Sequence, residues 1–446
     1  LTSRMVSTWA TGNYTWNDIY LADFSVRFDG SSDFGSKQRW APFFSGGLGV
    51  NIHNYEFLKG NEIVNKLKVR ASYGRTGKAS FPSYAATTMY EALFDEWYAT
   101  GFGAVLKALG NNNLSWEKTD KFNVGIEMQF LNRRLTVDAD YYHDKTIDLV
   151  NDVSLSQTSG FSSYKDNMGE VLNQGFELQV RGEVFRNRDW LVALWGNMAH
   201  NKNKIVKISD SQRAYNLRVE QFYQNSANEE YGRYNAQYAV PISQYEEGQS
   251  LTSIWAVKSL GIDPTTGKEI FLNRDGSVSD TWNATQEVVV GNTEPKFNGS
   301  VGFNLAYKAW SLFAAFQYEW GGQEYNQTLV DRVENARIQY QNVDLRVLTD
   351  RWKQPGDIAQ FKDIKNADNV TMPTSRFVQD KAYLRLSALT LSYDFNREWI
   401  KKHLGMNMLR LEASTRDFIN WNSIRQERGL SYPKSWTVDF SIKAQF

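Results

Sequence analysis

The chain has 446 residues, in which 50 Lys and Arg balance 50 Asp and Glu, so the net charge gives no indication of binding to nucleic acid or to an anionic membrane surface. No run of about 18 apolar residues occurs and the mean hydropathy is -0.53, which excludes a transmembrane helix but not a transmembrane barrel, whose strands alternate. Aromatic residues make up 14% of the chain, enough to build the girdles that such a barrel needs at both membrane interfaces.

The first predicted strands show a two-residue period. In residues 18–30, apolar side chains alternate with polar ones, as in an extended strand with two different faces. A shorter alternation covers 4–12, and two further strands are predicted at 40–53 and 67–73. The start of the chain, LTSRMVSTWA, has no charged segment followed by an apolar stretch, so we expect that a signal peptide was removed or that the chain is not the whole gene product.

The longest regular alternation is a predicted hairpin at 120–142. Its first arm places apolar side chains on one face, namely Phe122, Val124, Ile126, Met128 and Phe130. Residues 131–134 connect the arms, and Asn132 suits the left-handed conformation that a hairpin turn needs. Each arm has about ten residues, the length of a tilted strand that crosses a bilayer, whereas strands of soluble sandwiches have about five or six. The hairpin therefore indicates a transmembrane barrel.

More strands follow along the chain. Alternation predicts them at 176–184, 190–194, 296–307, 310–320, 383–395, 408–415 and 436–446. Residues 251–290 fit either two more strands or one excursion from the sheet, and both interpretations stay open. The expected count is therefore about 13 or 15 barrel strands.

The connections between these strands differ greatly in length. Turns of two to about a dozen residues alternate with long irregular stretches at 75–117, 204–250 and 321–378. Transmembrane barrels have short turns on the periplasmic side and long loops outside, whereas a sandwich has no reason to separate them. We therefore expect the three long stretches to be extracellular and the final strand, which ends at Phe446, to end in the periplasm.

Several segments also follow one another in an order that resembles a known family. They are LKVRASYGRTG at 67–77, NNNLSWEKTDKFNVGIE at 111–127, DYYHDKTIDLV at 140–150, NMGEVLNQGFEL at 167–178, NMAHNKNKI at 197–205, VGNTEPKFNGSVGFNLAYKAWSL at 290–312 and KAYLRLSALTLSYDF at 381–395. These are similar to the C-terminal half of SusC-like (SusC/RagA family) TonB-dependent outer-membrane transporters of the Bacteroidetes. The resemblance implies a barrel of about 22 strands, closed by a plug and capped by a SusD-like lipoprotein, that imports oligosaccharides or oligopeptides with energy from TonB. Neither a plug nor a TonB box is present in this sequence.

These observations predict an all-β fold, an antiparallel transmembrane β-barrel to which residues 1–446 contribute about 13 to 15 strands as its C-terminal part. Complete single-chain barrels of bacteria have an even number of strands, so an odd set that ends in the periplasm implies a preceding barrel segment of the same transporter. The resemblance also implies contact with the TonB complex through a plug segment that is not in this chain. The alternative is a secreted or surface-exposed β-sheet glycan-binding protein.

Polar side chains on the strand faces opposite the apolar ones are expected to line a hydrated lumen, because they would be costly in the bilayer. These residues are Glu127, Asp138, Asp140, Glu177, Gln179 and Arg181. For each residue taken alone, a solvated wall without a specific role is the simpler explanation.

Aromatic residues in the predicted loops are candidates for contact with substrate, because aromatic faces with a polar rim suit sugar rings and peptide side chains. They are Trp97, Tyr98, Tyr231, Tyr234, Tyr325, Trp352 and Trp421. Packing within the loops, or against a lid protein, is the alternative for each of them.

No motif indicates an enzyme, a cofactor or a metal site. The His residues lack the spacing of a zinc site, and the sequence contains no nucleophile elbow, P-loop or Rossmann fingerprint. Residues 272–280, LNRDGSVSD, resemble a calcium loop, but Phe271 and Trp282 stand where ligands are required. We therefore expect an acidic turn at this position.

Overall fold

The computed structural model describes residues 3–34, 39–78, 86–99, 101–154, 163–167, 169–228, 236–336, 338, 343–366, 369–425 and 436–446. The strands, in chain order, are β1 (Met5–Trp16), β2 (Tyr20–Ser31), β3 (Trp40–Asn51), β4 (Val64–Lys78), β5 (Met89–Tyr98), β6 (Gly101–Ala108), β7 (Glu117–Phe130), β8 (Leu135–Ile147), β9 (Val150–Ser154), β10 (Ser163–Asn167), β11 (Glu170–Arg186), β12 (Trp190–Lys207), β13 (Ser253–Ile262), β14 (Glu269–Leu272), β15 (Val278–Ser279), β16 (Glu287–Asn292), β17 (Phe297–Tyr307), β18 (Trp310–Tyr325), β19 (Val378–Asp394), β20 (Met408–Thr415), β21 (Asn420–Asn422) and β22 (Val438–Gln445). The helices are α1 (Asp210–Asn228), α2 (Gln327–Leu329), α3 (Arg346–Thr349) and α4 (Arg397–Leu404), and a π-helical turn covers Val330–Glu334. No helix in these ranges is both long and apolar enough to cross a membrane.

Most strands belong to one antiparallel sheet of 14 strands, in the order β1-β2-β3-β4-β7-β8-β11-β12-β17-β18-β19-β20-β22, with β21 beside β19. Strands β20 and β21 follow each other in sequence and both pair with β19, so they form one interrupted crossing. Within the described residues the sheet therefore has thirteen crossings, the lower of the two counts expected from the sequence. Within the described residues, β1 pairs only with β2, and β22 pairs only with β20.

Residues 251–290, for which the sequence left two interpretations open, form one excursion from the sheet. Strands β13 to β16 make a separate four-stranded sheet between β12 and β17. Two hairpins, β5 with β6 and β9 with β10, lie within connections whose sequences show no sustained alternation. Short strands inside loops thus escape a search for long alternating segments.

The tight turns have sequences that explain them. Between β7 and β8, Leu131, Asn132 and Arg133 have φ values of 55°, 57° and 65°, so the left-handed conformation expected of Asn132 extends to both neighbours. Lys308, with φ of 51°, makes the turn between β17 and β18. Helix α4, between β19 and β20, begins at the side chain of Asn396, which accepts hydrogen bonds from the first free N–H groups of the helix.

Consecutive crossings are antiparallel, so their connections lie alternately at two ends of the sheet. Those at one end, which we call the turn end, are 17–19, 52–63, 131–134, 187–189, 308–309 and 395–407. Those at the other, the loop end, are 32–39, 79–116, 148–169, 208–296, 326–377 and 423–437. All of the longest connections leave the loop end, although 32–39 is short. The prediction that the long stretches share one end is confirmed.

Side chains of the sheet alternate between two faces of different character. One, the apolar face, carries exposed apolar side chains such as Leu194, Val301 and Leu391. The other, the polar face, carries the charged side chains of the same strands. A large apolar surface that remains exposed is unusual in a soluble protein and typical of a surface in contact with lipid. The largest described cluster of buried apolar side chains lies in the loops, around Val330 and Phe377.

Aromatic rings on the apolar face gather at two levels. The loop-end girdle consists of Phe28, Trp40, Phe44, Tyr73, Phe176, His200, Phe297 and Trp320. The turn-end girdle consists of Trp16, Tyr20, Tyr55, Trp190, Tyr307, Trp310 and Tyr393. Ten residues separate the two girdles on β12, β17 and β18, which corresponds to about 25 Å for strands tilted by about 40°. This height matches the apolar band of a transmembrane barrel.

Candidate functional site

Polar side chains of β4, β7, β8 and β11 meet on the polar face in two adjacent rows of paired residues. One row is Lys68, Glu127, Asp138 and Gln179, and the next is Arg70, Gly125, Asp140 and Glu177. Arg181 lies two residues beyond Gln179 on the same strand face. The structure thus brings together the residues predicted to line the lumen. We use the name charged patch for Lys66, Lys68, Arg70, Glu127, Asp138, Asp140, Glu177, Gln179 and Arg181.

Ion pairs connect the charged patch across the strands. Lys66 Nζ lies 2.6 Å from Glu127 Oε2, and Arg70 Nη2 lies 2.6 Å from Asp140 Oδ1. Lys68 and Arg70 approach the other oxygen of Glu127 at 3.6 and 3.4 Å. These side chains keep 22% to 39% of their surface exposed, so each pair adds at most about 1 kcal/mol to stability. The patch is therefore a solvated wall of both charge signs, not a buried core.

Three of the four cations of this patch, those on β4, were not predicted from the sequence. Lys66, Lys68 and Arg70 alternate with the apolar residues Leu67 and Val69 along β4. The signal was the same two-residue period that predicted the strand, but only its apolar half was used. Reading the polar half of each predicted strand would have found them.

A second group of polar side chains occupies the polar face on β18 and β19. Arg385 Nη2 donates to Gln317 Oε1 at 2.6 Å, and Arg385 Nε lies 3.5 Å from Asp417 Oδ1. Lys381 Nζ lies 3.8 Å from Glu319 Oε1. The polar character of this face thus extends from β4 to β19 and is not confined to the charged patch.

The aromatic candidates do not form a single site. Tyr231 and Tyr234 lie outside the described residues. The backbones of Trp97 and Tyr98 belong to the end of β5 and pair with the start of β6, at the tip of that hairpin. This hairpin lies within the connection between β4 and β7 at the loop end.

The other three candidates have defined surroundings. The ring of Tyr325, at the end of β18, packs edge-on against Phe377 with ring centres 5.9 Å apart. Trp352 Nε1 donates to a backbone carbonyl of the excursion at 2.9 Å. Trp421 pairs with Leu384 on the apolar face and is 59% exposed. Tyr325 and Trp352 therefore pack within the loops. Trp421 lies in a strand, on the sheet face opposite to the charged patch, and not in a loop as predicted.

A buried cluster of charges holds the loop end together. Arg376 Nη2 lies 2.7 Å from Glu334 Oε1 and 2.8 Å from Glu269 Oε2, and these side chains are at most 10% exposed. Thr371 Oγ1 donates to Glu334 at 3.1 Å, and Lys362 Nζ donates to Thr371 Oγ1 at 2.8 Å. We use the name buried charge cluster for these five residues. The cluster joins the excursion, through Glu269, to the connection between β18 and β19.

Mutual attraction keeps this cluster charged in spite of its burial. Burial would raise the pKa of Glu334, but Arg376, with Lys362 and Arg351, lowers that pKa below its usual range. Burial opposes the charge of Arg376, but Glu334 and Glu269 raise the pKa of the guanidinium. Burial lowers the pKa of Lys362 to about 8, against the attraction of Glu334. The cluster holds the loops in contact, and its polar groups form ion pairs and hydrogen bonds with one another.

Glu287 is a second buried acid of the loop end, 1% exposed at the start of β16. One carboxylate oxygen accepts a hydrogen bond from Gln244 Nε2, and the other has no hydrogen-bond partner among the described residues. Burial raises the pKa of Glu287 to about 8. Burial therefore favours the neutral carboxylic acid form of this side chain.

Glu287→Gln is expected to remove the pH dependence of local stability at the loop end. A carboxyl whose pKa rises from 4.5 to about 8 on folding stabilises the fold fully below pH 4.5, and this contribution is lost as the pH rises to about 8. Hydrogen exchange in β13 and β16, corrected for its intrinsic rate, should show easier opening at about pH 8 than at about pH 5, but not in the variant. The exposed Glu246→Gln serves as a control and should keep the wild-type difference. An equal pH response in wild type and Glu287→Gln would contradict this role.

The segment that resembled a calcium loop forms a turn between β14 and β15. Asp275 Oδ1 accepts hydrogen bonds from the N–H and the hydroxyl of Ser277, at 2.9 and 2.6 Å, and these bonds lower the pKa of Asp275. Asn273 Nδ2 donates to the Ser277 hydroxyl at 2.9 Å. Within the described residues no group of three or more His, Cys, Asp or Glu side chains is arranged to hold a metal ion. The polar atoms of the turn are thus used within the turn.

Comparison with known proteins identifies the family. Residues 2–414 match the family model described as TonB dependent receptor-like, beta-barrel. The chain belongs to this family of TonB-dependent receptors. The predicted antiparallel transmembrane β-barrel is thereby confirmed. The family consists of receptors and transporters, not enzymes.

Several receptors of known sequence are similar to this TonB-dependent receptor chain. TonB-dependent receptor P3 of Formosa agariphila is 27% identical over 440 residues, which cover 94% of this chain and 41% of that protein. TonB-dependent receptor SusC of Bacteroides thetaiotaomicron is 33% identical over 217 residues, which cover 46% of this chain and 21% of that protein. The chain thus spans less than half the length of these curated relatives.

Solved structures share the fold. The RagAB peptide transporter superimposes with a TM-score of 0.76 at 24% identity, covering 95% of this chain and 44% of that one. The RagAB peptide importer in its closed-closed state superimposes with a TM-score of 0.80 at 23% identity, covering 99% of this chain and 48% of that one. At these identities the likeness concerns the fold of the barrel chain.

Proposed function

We propose that this receptor chain forms the C-terminal part of the wall and the outer vestibule of an active importer in the outer membrane. The charged patch is the observation that carries the proposal, because its solvated rows lie on the sheet face opposite two aromatic girdles. Charged side chains are stable on a membrane barrel where water fills the interior. The polar face therefore lines the lumen, the loop end is extracellular, and the C-terminus lies in the periplasm.

The cargo is an oligosaccharide or an oligopeptide. Two observations support these classes: the similarity to SusC, and the shared fold with a protein described as a peptide transporter. The charged patch suits neutral or zwitterionic molecules better than strongly charged ones, because cations and anions are balanced in it. The cations are Lys66, Lys68, Arg70 and Arg181, and the anions are Glu127, Asp138, Asp140 and Glu177.

The importer works with partners that this chain does not contain. A preceding barrel segment of the same transporter pairs with the edges of β1 and β22, since unpaired strand edges are not tolerated in lipid. A SusD-like surface lipoprotein covers the loop end. A plug segment outside this chain connects the barrel to the TonB complex. The share of each relative that the chain covers supports this arrangement.

Material that copurifies with the transporter tests the cargo class. The full-length protein should be isolated in mild detergent from cells grown on a mixture of glycans and peptides, and its bound molecules identified by mass spectrometry. Oligosaccharides or oligopeptides released by denaturation, and absent from a mock purification, are expected. A transporter that carries only metal chelates or only small lipophilic molecules would contradict the proposal.

A secreted or surface-exposed glycan-binding protein is the alternative function. Membership of the barrel family and the exposed apolar face both count against it. Extraction separates the two: the receptor chain should remain with the membrane fraction until detergent is added. Recovery in the soluble fraction without detergent would favour the alternative.

Cysteine labelling is expected to orient the barrel. The chain has no Cys, so Ile358→Cys at the loop end, where the native side chain is 96% exposed, and Asn132→Cys at the turn end give single sites. An impermeant maleimide applied to intact cells should label the first variant, because the loop end faces outward, and should label the second only after the cells are opened. Labelling of Asn132→Cys alone in intact cells would invert the orientation.

A further inference from the structure

The sheet has a step at the loop end, because β17 begins further from that end than its neighbours β12 and β18 extend. Strand β12 continues to Lys207, but its pairing with β17 ends at Ala199. Beyond that point Ile205 exchanges backbone hydrogen bonds with Gln249 and Gly248, at 2.7 and 2.9 Å. A cavity of about 850 Å³ lies at this step, between β12 and the upper part of β18.

Residues from both faces of the sheet line this cavity. His200 and Lys202 belong to the apolar face of β12, and Asn201 and Asn203 belong to its polar face. A cavity lined by residues of both faces passes through the sheet at the point where β17 does not extend alongside β12. The step is therefore open towards the surroundings of the barrel.

Aromatic rings form the rim of the step on the side nearer the turn end. His200 lies between Phe176 and Phe297, with ring centres 5.4 and 5.6 Å away, and Phe297 lies 6.3 Å from Trp320. His200 Nδ1 donates to the carbonyl of Lys296 at 2.6 Å, which fixes the ring. These rings belong to the loop-end girdle, so the rim lies at the level of the membrane interface.

Two cations without an ion pair follow His200 along β12: Lys202 lines the cavity, and Lys204 lies just outside its lining. Lys202 and Lys204 follow His200 on the same strand face, about 7 Å apart, and both are exposed. Neither forms an ion pair with any described residue, whereas Lys145 and Arg75 on the same face are paired at 2.8 and 2.6 Å. Unpaired cations just beyond an aromatic girdle lie at the depth of lipid headgroups.

The carboxylates that line the cavity are already engaged. Glu294 accepts hydrogen bonds from the side chain of Asn201 and, at 3.0 Å, from the N–H of Asn203. Asp380 Oδ1 accepts from Gln323 Nε2 at 3.1 Å. Both carboxylates therefore keep their charge but are held by amide groups of the wall, and neither forms an ion pair with Lys202 or Lys204.

We propose that this step is a binding site for a phosphate-bearing lipid of the membrane leaflet next to the loops. The phosphate lies between Lys202 and Lys204, and the acyl chains lie along Phe176, Phe297 and Trp320. Charge complementarity selects the headgroup, and the girdle selects a molecule whose tails are in the bilayer. The site is on the outer wall and is independent of the cargo in the lumen.

Native mass spectrometry of the full-length transporter tests the proposal. The probe is lipid A that carries its phosphates, added to delipidated protein, with dephosphorylated lipid A in a parallel sample. The double variant Lys202→Gln/Lys204→Gln should weaken binding on the order of tenfold, and raised salt should weaken binding to the wild type. The matched control Lys353→Gln/Lys365→Gln removes two exposed loop lysines and should bind as the wild type does.

Three results would overturn the site. Equal binding of dephosphorylated lipid A to the wild type would remove the role of the phosphate. Undiminished binding to Lys202→Gln/Lys204→Gln would place the lipid elsewhere. Full competition by inorganic phosphate at the lipid concentration would show that a free anion, not a lipid, occupies the step. The first and third results use the wild-type protein, so they do not depend on how the variant folds.

Discussion

Leu194→Arg is expected to destabilise the barrel by about 2 to 4 kcal/mol. Leu194 is 51% exposed on the apolar face of β12, between Trp190 of the turn-end girdle and His200 of the loop-end girdle. An Arg at this depth must remain in the hydrocarbon or distort the bilayer to reach water. Urea unfolding of the full-length transporter in lipid vesicles measures the loss.

Gln179→Arg is the matched control for this result. It introduces the same side chain on the neighbouring strand β11, but on the polar face, in the row that contains Asp138. We expect a change within about 0.5 kcal/mol, because the new guanidinium lies in water beside a carboxylate. If Gln179→Arg unfolds the barrel and Leu194→Arg does not, the two faces are assigned the wrong way round.

Arg376→Met should lower the free energy of local unfolding at the loop end by about 3 to 5 kcal/mol. It leaves Glu334, which is fully buried, and Glu269, which is 9% exposed, without their shared cation. Both carboxylates must then be protonated or hydrated, and either outcome opens the excursion. Hydrogen exchange and limited proteolysis should show loss of protection in β13, β14 and residues 330–377, with the sheet unchanged.

Two comparisons test the cause of that loss. Arg213→Met removes an exposed guanidinium, 57% accessible and 3.4 Å from Glu247, and should have almost no effect. Adding Glu334→Gln to Arg376→Met removes one of the stranded charges and should restore part of the protection. If the double variant loses as much protection as the two single variants lose together, the two residues act independently.

The strands of the sheet were predictable because their two faces differ. The alternation from Phe122 to Phe130 predicts β7, and Asn132 at its turn has the left-handed conformation expected. The strands predicted from the sequence were too short at the loop end, where β11 begins at Glu170 and β12 ends at Lys207. Beyond the girdle water surrounds both faces, so the alternation fades although the hydrogen-bonded ladder continues.

The organisation of the loop end could not be predicted in the same way. Residues 251–290 contain short strands that a local pattern cannot distinguish from barrel crossings. The buried charge cluster joins Glu269 to Arg376, which are far apart in sequence, and no spacing rule connects them. Only the assembled excursion brings the carboxylates to the guanidinium.

The aromatic candidates show the limit of reasoning from composition. Trp421 was taken as a loop residue, yet β21 continues the crossing of β20 after an interruption and places Trp421 on the apolar face. Tyr325 contacts Phe377, and Trp352 binds a backbone carbonyl of the excursion, so both pack against other loop residues. An aromatic residue beside polar ones does not by itself indicate a substrate site, because girdles and loop cores need the same side chains.

Electron cryomicroscopy of the full-length transporter in a lipid nanodisc tests the central claim most directly. The chain should form thirteen crossings of one closed barrel, with the charged patch facing a water-filled lumen and the girdles facing lipid. The free edges of β1 and β22 should be hydrogen-bonded to strands from a preceding segment of the same transporter. A barrel closed by direct pairing of β1 with β22, or a charged patch in contact with lipid, would contradict the account.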